Sequence, residues 1–476
     1  MKTPILGQAY TVRTVNEADN RLVNMFLEVV PNEGLEPGFL STAPGLRRVA
    51  TIGTGPIRGL WTYGGYGYVV SGSQLYKLTS TYSATLLGTI SGTGPVSMAD
   101  NGTQLFIAAN PDGYIYNAST DVFQKITDED FPGAVTVSFL DGYFVFNKPD
   151  SQQFYITGIY DGTNIDALDF ASAEGSPDLL IGLIVDHREV WLFGNNSVEV
   201  WYNAGLADFP LARIQGAFNE LGCAAPYSIA KMDNGLFWLG ADARGDGIVY
   251  RANGYTGQRI STHAMEFAIS QYDDISDAIA YTYQQQGHSF YVLTFPTANK
   301  TWCYDVATQM WHERAGWENS QFARHRSNCQ MFFGDQTIVG DFENGKLYAL
   351  DLNVFEDDDV PQKWLRSWRA LGPGQNNLKR SAHHTLQLEI TSGVGLVSGQ
   401  GSDPQIMLRW SDDGGHTWSN EHWTSAGKIG EYGRRAIWRR LGMTTKLRDR
   451  LYEVSGTDPV EITIMGAELY ATPTNA

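Results

Sequence analysis

Short runs of alternating apolar and polar residues, separated by turns rich in Gly, Asn and Asp, recur along most of the chain. A period of two is typical of half-buried β-strands. The pairs Asn101-Gly102, Asp141-Gly142 and Asn234-Gly235 lie between such runs and tolerate the positive φ of tight hairpins. The pattern therefore predicts an all-β protein.

The strand pattern repeats along the chain. We mark each copy by one residue of its second strand, namely Tyr68, Leu105, Tyr143, Val190, Leu236, Phe290 and Ile338. Successive markers are 37, 38, 47, 46, 54 and 48 residues apart. This spacing matches the roughly 40–50 residues of a four-stranded propeller blade. We predict a β-propeller of seven blades, or of six if the last copy is peripheral, with the strand-like segment 21–30 closing the ring.

The acidic run 356–359, which Pro361 follows shortly after, interrupts the repeat. We interpret it as a solvated linker, with calcium binding as the alternative, and place a domain boundary at residue 361. Residues 1–361 are then the propeller with its N-terminal closing strand, and residues 362–476 are a second domain. Period-two runs at 385–390, 405–410, 450–454 and 460–464 predict a C-terminal antiparallel β-sandwich.

Composition supports this fold and restricts the function. Aromatic residues make up 12% of the chain and there are 51 Gly, which suits strands and turns. The formal net charge is −18, so the surface would repel nucleic acid, which argues against a free-standing nucleic-acid-binding protein. Residues 1–361 hold 20 basic and 41 acidic residues, whereas residues 362–476 hold 14 basic and 11 acidic residues. The charge is therefore segregated between the two parts of the chain.

Signals of catalysis, metal binding and export are weak. Cys223, Cys303 and Cys329 are scattered and are interpreted as reduced core thiols. His383 and His384 adjoin in a predicted strand and would point to opposite faces, which argues against a shared metal. Arg244-Gly245-Asp246 is predicted to form a blade turn.

No long apolar run follows Met1, so we expect no signal peptide and no membrane anchor. We therefore expect the protein to be made in a reducing cytoplasm. We predict no catalytic residue, cofactor or metal.

One turn motif has a specific physical meaning. It fits the Asp-box pattern, in which an Asp carboxylate and a Ser hydroxyl accept hydrogen bonds from turn amides and a Trp packs beneath the turn. Its residues are Ser411, Asp413, Gly415, Thr417 and Trp418. We predict a structural turn. Because this turn is common in sialidases, the motif leaves open a propeller glycosidase or carbohydrate-binding protein as the alternative.

Basic residues cluster near the C-terminus, and we predict that they form a partner interface: Arg434, Arg435, Arg439, Arg440, Lys446, Arg448 and Arg450. An acidic partner surface is favoured over DNA because the whole chain is acidic. The alternative is a strand whose arginines alternate outward and pair with Asp and Glu. Since paired arginines on a strand face both ways, we expect at least half of them to be structural.

Several short motifs resemble the tail hub, or packaged-DNA-stabilisation, proteins of short-tailed bacteriophages. They lie at residues 23–26, 43–46, 56–60, 198–205, 410–414 and 435–442. The likeness spans most of the chain, although each motif is short and degenerate.

The resemblance implies a non-enzymatic virion protein, assembled in the host cytoplasm as a ring of six copies below the portal and adaptor. Such a nozzle would continue the DNA channel, retain the packaged genome and support its ejection. DNA would pass without sequence-specific binding, and the partners would be the head-to-tail adaptor and other tail proteins such as a fibre or needle. A cytoplasmic interaction scaffold with the same fold is a further alternative.

Overall fold

Seven groups of four antiparallel strands follow one another along the part of the chain that the structure describes. Four of them are separate sheets, and the other three belong to larger sheets. The structure is a computed structural model, and it describes residues 1–11, 19–30, 37–173, 175–242, 245–371, 380–445 and 450–474. Each of the seven predicted markers lies in the second strand of one sheet. The seven-bladed propeller predicted from the repeat is therefore confirmed, and six blades are excluded.

The strands are given for each blade from the innermost outward. Blade 1 has Ile57–Tyr63, Tyr66–Ser71, Gln74–Leu78 and Ala84–Thr89, and blade 2 has Ser97–Asp100, Gln104–Ala109, Asp112–Asn117 and Val122–Lys125. Blade 3 has Val137–Leu140, Tyr143–Asn147, Gln153–Ile156 and Phe170–Ser172, and blade 4 has Leu180–Asp186, Glu189–Gly194, Val198–Asn203 and Leu211–Asn219. Blade 5 has Ala230–Met232, Gly235–Asp242, Gly245–Asn253 and Thr256–Arg259, and blade 6 has Ile279–Gln285, His288–Phe295, Lys300–Asp305 and Met310–Glu313. Blade 5 also pairs with the short strand Gly222–Cys223.

Alternation of side chains explains how the blades stack. Every residue of Gln104–Ala109 in blade 2 is buried. Leu105 and Ile107 pack with the core of blade 1, whereas Phe106 and Ala108 pack with that of blade 3. Successive residues of a strand face opposite sides of its sheet, so one apolar strand fills the space on both sides of its blade.

Blade 7 is closed by a segment other than the predicted one. Its first three strands are Ser327–Phe333, Gln336–Asp341 and Lys346–Asp351, and its fourth is Gly45–Thr51 from near the N-terminus. The prediction that residues 21–30 close the ring is wrong. Both segments are apolar and strand-like, and local periodicity does not determine which distant strand each one pairs with.

Residues 21–30 contribute instead to the C-terminal sandwich. Its first sheet continues the outer edge of blade 6 in the order Leu22–Val23, Trp364–Arg369, Leu451–Gly456, Gln405–Ser411 and His422–Ser425. Its second sheet has the order Met25–Val29, Gly38–Thr42, Thr463–Pro473, Ser381–Ile390 and Ala436–Met443. N-terminal and C-terminal strands therefore build the sandwich together.

The acidic run is part of the folded structure. Glu356–Asp357 pairs with Val360–Pro361 and runs parallel to the closing strand. Asp357 is buried, and its burial raises the pKa of its carboxyl to about 6. Asp358 and Asp359 form ion pairs with Arg48, and Asp358 also pairs with Lys346. The interpretation of this run as a solvated linker is wrong, because the closing strand supplies both a backbone partner and a basic partner.

The propeller and the sandwich share one hydrophobic core. A single cluster contains Phe237 and Trp311 of the propeller together with Trp364, Leu386 and Trp438 of the sandwich. The domain division at residue 361 stays a prediction.

The remaining described elements are the α-helix His263–Ile269, the short 3-10 helix Pro226–Ser228, and two hairpins formed by Tyr10–Thr11 with Asp19–Asn20 and by Ala315–Glu318 with Gln321–Arg324. The hydroxyl of Thr262 caps the α-helix by accepting a hydrogen bond from the amide of Met265. In the described part of the chain, no helix has the length and apolarity needed to cross a membrane.

Candidate functional site

The strand Ala436–Met443 forms the edge of the second sandwich sheet and carries two of the predicted arginines, Arg439 and Arg440. Arg439 and Arg440 are consecutive, yet both are exposed. The register with the neighbouring strand shifts at this point, and Arg440 has a φ of 61°. A bulge of this kind re-aims a side chain, so both guanidinium groups reach the surface of the sheet edge.

Arg434 and Arg435 precede this strand and are also exposed. The guanidinium of Arg435 donates a hydrogen bond to the side-chain oxygen of Gln387. Among the residues described, no carboxylate forms an ion pair with any of these four arginines. They leave an exposed cluster of positive charge along one sheet edge, which we call the arginine edge (Arg434, Arg435, Arg439 and Arg440).

Arg450 does not belong to the arginine edge. It is only 2% exposed, and its guanidinium donates to both carboxylate oxygens of Asp412 at 2.7 and 2.8 Å. It also donates to the carbonyl oxygens of Leu441 and Met443. Its assignment to a partner interface is corrected, because its hydrogen bonds are made inside the sandwich. Lys446 and Arg448 lie outside the described residues, as does Arg244.

The Asp-box turn has the geometry that its residues predict. The carboxylate of Asp413 accepts hydrogen bonds from the Ser411 hydroxyl at 2.7 Å, from the Thr417 amide at 2.9 Å and from the Thr417 hydroxyl at 2.6 Å. The amide of Gly415 donates to the Ser411 hydroxyl, and Gly415 has a φ of 93°. The hydrogen bonds from Thr417 and Ser411 hold the pKa of Asp413 well below its usual range. This carboxylate is committed to the turn.

Trp418 is half-buried beside this turn. Its indole N–H donates to the carbonyl oxygen of Gly415 at 3.0 Å, and the guanidinium of Arg409 lies 4.7 Å from its ring centre. The turn thereby anchors an aromatic side chain and an arginine near the edge of the first sandwich sheet.

A central cavity of about 500 Å³ lies between the innermost strands of the seven blades. Arg58 lines it, and the Arg58 guanidinium donates to the carbonyl oxygens of Gly72, Ser91 and Gly94 at 2.6 to 3.0 Å. A volume of this size is typical of a pocket for a small molecule, which is far smaller than a passage for duplex DNA.

The two adjacent histidines lie on opposite faces, as predicted. His383 is buried between Ser381 and Tyr452, and burial lowers its pKa to about 4. His384 is exposed and contacts Thr472. Within the described ranges, no three His, Cys, Asp or Glu side chains come together in an arrangement that could hold a metal ion.

Solved structures with a similar fold include the N-terminal domain of Nup159 and BamB from Moraxella catarrhalis. The first is 10% identical over 67% of this chain and 97% of its own, with a TM-score of 0.40. The second is 9% identical over 72% of this chain and 96% of its own, with a TM-score of 0.39. Neither likeness supports a statement about function. No curated protein sequence matches the chain.

Two family models match the chain, one for each part of the fold. The model described as Bacteriophage P22 Gp10, beta-propeller, matches residues 1–355, and the model described as Bacteriophage P22 Gp10, beta-sandwich, matches residues 364–472. Together they account for both the seven-bladed propeller and the C-terminal sandwich, and they confirm the resemblance carried by the short motifs. The chain therefore belongs to the bacteriophage P22 Gp10 family of tail hub, or nozzle, proteins of short-tailed phages.

Proposed function

We propose that the protein is a structural component of a bacteriophage tail hub, where six copies form a ring below the portal and adaptor. The ring continues the DNA channel, retains the packaged genome and supports its ejection. The observation that carries this proposal is the pair of family matches, which together span both parts of the fold. The role needs no catalysis and no cofactor, and assembly takes place in the host cytoplasm.

In this proposal DNA passes through the centre of the ring and not through any one propeller. The central cavity of the propeller, at about 500 Å³, supports that distinction. Residues 1–361 hold 41 acidic and 20 basic residues, so a wall built from them repels the phosphate backbone. Repulsion lets a duplex slide without sequence-specific binding.

The arginine edge is proposed to dock on an acidic surface of the adaptor or of another tail protein, such as a fibre or needle. Its four exposed guanidinium groups and the basic balance of residues 362–476 support this role. Charged rims of this kind mainly set the rate and specificity of association. We also propose the domain boundary at residue 361. The strands Leu22–Val23, Met25–Val29 and Gly38–Thr42 precede this boundary in the sequence but pair within the sandwich sheets.

Electron microscopy of assembled tails and co-sedimentation with portal–adaptor complexes test the proposal. One variant replaces the arginine edge with glutamine: Arg434→Gln, Arg435→Gln, Arg439→Gln and Arg440→Gln. A control removes exposed positive charge from the propeller instead: Lys125→Gln, Arg188→Gln and Lys231→Gln.

We expect the first variant to lose co-sedimentation and the control to keep it. Equal recovery of both variants would show that the arginine edge is not the docking surface. A wild-type chain that never joins tail complexes would refute the proposed function itself.

A further inference from the structure

A second cavity, of about 640 Å³, lies where the propeller meets the sandwich. Its walls come from the α-helix His263–Ile269, the hairpin Ala315–Arg324, the outer part of blade 6 and the first sandwich sheet. We call it the junction pocket. Two of its lining residues have been met already: Arg21 begins the segment 21–30, and Arg409 contacts Trp418 of the Asp-box turn.

The junction pocket has aromatic walls. Trp317 and Phe322 of the hairpin pack edge to face with ring centres 4.8 Å apart. On the opposite wall the indole N–H of Trp302 donates to the hydroxyl of Tyr272 at 3.1 Å, which fixes both rings. Apolar walls with a few fixed polar groups are typical of ligand and side-chain binding sites.

Four basic side chains also line the junction pocket, namely Arg21, Lys300, Lys363 and Arg409, against a single lining carboxylate, Glu313. Arg21 pairs with that Glu313, and Arg409 pairs with Glu453. Among the described residues, no carboxylate forms an ion pair with Lys300 or Lys363. The lining therefore has more basic than acidic side chains, and the carboxylates of Glu421 and Glu453 act on Lys363 from outside it.

Lys363 sits over the aromatic wall. Its ammonium lies 4.0 Å from the ring centre of Trp317. Burial is the largest of the effects that lower the pKa of this lysine. A carboxylate entering the pocket would pair with this partly desolvated cation. Lys363 covers one face of Trp317 and Phe322 packs against the same ring, which leaves little room for a nucleic-acid base to stack there. The site therefore favours an acidic polypeptide segment.

The loop formed by residues 157–169 in blade 3 has the complementary chemistry. Leu168 is 79% exposed, and Ile159 and Tyr160 are exposed as well. Asp166 is exposed beside Leu168, and its carboxylate accepts a hydrogen bond from the Leu168 amide at 2.9 Å. Burial and the negative charge of Asp166 raise the pKa of Asp169. In the described residues, no lysine or arginine pairs with either carboxylate.

The junction pocket and this loop lie on opposite faces of the propeller. The helix and the hairpin that wall the pocket both connect the outermost strand of one blade to the innermost strand of the next. The loop 157–169 connects the third strand of its blade to the fourth, at the other ends of the strands. A contact between two different, opposite surfaces is head-to-tail, and repeated head-to-tail contacts form a ring when the rotation between successive copies closes.

We propose that the junction pocket of one copy receives the blade 3 loop of the next copy, with Leu168 against the aromatic wall and Asp166 beside Lys363. The inference rests on the proposed ring, and it specifies which surfaces join its neighbours. A buried apolar anchor with a charged partner at its rim is the usual composition of an interface hot spot.

Sedimentation velocity of the purified full-length chain at low salt tests the contact. Leu168→Ser removes the anchor and Asp166→Lys reverses the loop charge; each is expected to weaken self-association by at least about tenfold. Lys363→Glu should do the same from the pocket side, and the double variant Asp166→Lys/Lys363→Glu should restore association. Leu206→Ser is the matched control, because Leu206 is also exposed on the same face in blade 4.

A wild-type chain that stays monomeric at about 1 mM, a concentration at which even a weak contact associates, overturns the inference. Association that Leu168→Ser leaves unchanged, or that the double variant fails to restore, overturns it equally. Thermal melting of Leu168→Ser and Asp166→Lys confirms folding, since both residues are exposed. Association through this contact without incorporation into tail complexes would refute the proposed function and leave this inference standing.

Discussion

Arginines that look alike in the sequence have different roles in the fold. Arg439 is exposed on a strand edge, whereas Arg450, eleven residues later, is buried against Asp412. The charge pattern showed the cluster, but not which member points inward, because that depends on the distant loop that carries Asp412. Of the five described residues of the candidate interface, four are exposed and only Arg450 is buried. Fewer than half of these five are therefore built into the fold, where at least half were expected.

We predict that Arg450→Met lowers the free energy of unfolding by about 3–5 kcal/mol, because it leaves the Asp412 carboxylate and two carbonyl oxygens without their donor. Urea unfolding followed by tryptophan fluorescence measures this change. Arg439→Gln is the control and should shift stability by less than about 0.5 kcal/mol. Equal, small effects for the two variants would contradict the structural role given to Arg450.

The Asp-box turn gives a pH-dependent prediction. The pKa of Asp413 is lowered in the folded chain by its hydrogen bonds to Thr417 and Ser411. Its stabilising contribution is therefore complete above the ordinary aspartate pKa of about 3.9 and is lost as the pH falls below that value. We expect Asp413→Asn to lower the melting temperature at pH 7, with the difference from wild type shrinking towards pH 3. A difference independent of pH would contradict the assignment.

At the scale of elements, hydrophobic periodicity predicted the seven blades but not the closure of the ring. All seven markers lie in the expected second strands, because each repeat is a local meander joined by short turns. Closure is a pairing between Gly45–Thr51 and Lys346–Asp351, about 300 residues apart in sequence. Residues 21–30 have the same alternation, so sequence pattern alone could not separate the two segments.

Leu46 in the closing strand is buried among side chains that include Val339 and Tyr348. We predict that Leu46→Ala lowers the free energy of unfolding by about 2–5 kcal/mol through the cavity it leaves. Hydrogen exchange should also accelerate at the amides of Lys346–Asp351, which pair with this strand. Leu86→Ala is the matched control, because Leu86 is exposed on the outermost strand of blade 1. Unchanged exchange in blade 7 would show that closure does not depend on this contact.

At the scale of the whole molecule, composition predicted the fold class and the charge segregation, but it did not predict how the two parts join. The sequence places a break near residue 361, yet the strand Leu22–Val23 bridges the outer strand of blade 6 and Trp364–Arg369. The junction pocket arises at that joint, from residues far apart in sequence. Its aromatic and basic residues carry no local motif, so no sequence signal could have assembled them.

The shared joint predicts that propeller and sandwich unfold together. The side chain of Asn24, fully buried, donates to the carbonyl oxygens of Ala315 and Lys363 at 2.7 and 2.8 Å and accepts from the Ala315 amide. Asn24→Ala leaves these buried groups unsatisfied and should cost about 1–3 kcal/mol for each carbonyl that finds no other donor.

Because the joint belongs to both parts, we expect Asn24→Ala to lower the stability of both by the same amount. Hydrogen exchange in the innermost strand Val137–Leu140 and in the sandwich strand Ser381–Ile390 measures the two separately, under conditions where exchange requires global unfolding. Equal acceleration at both strands follows if the chain is one cooperative unit. Acceleration confined to the sandwich would show that the propeller keeps its own stability, and the domain division at residue 361 would then also be a division in folding.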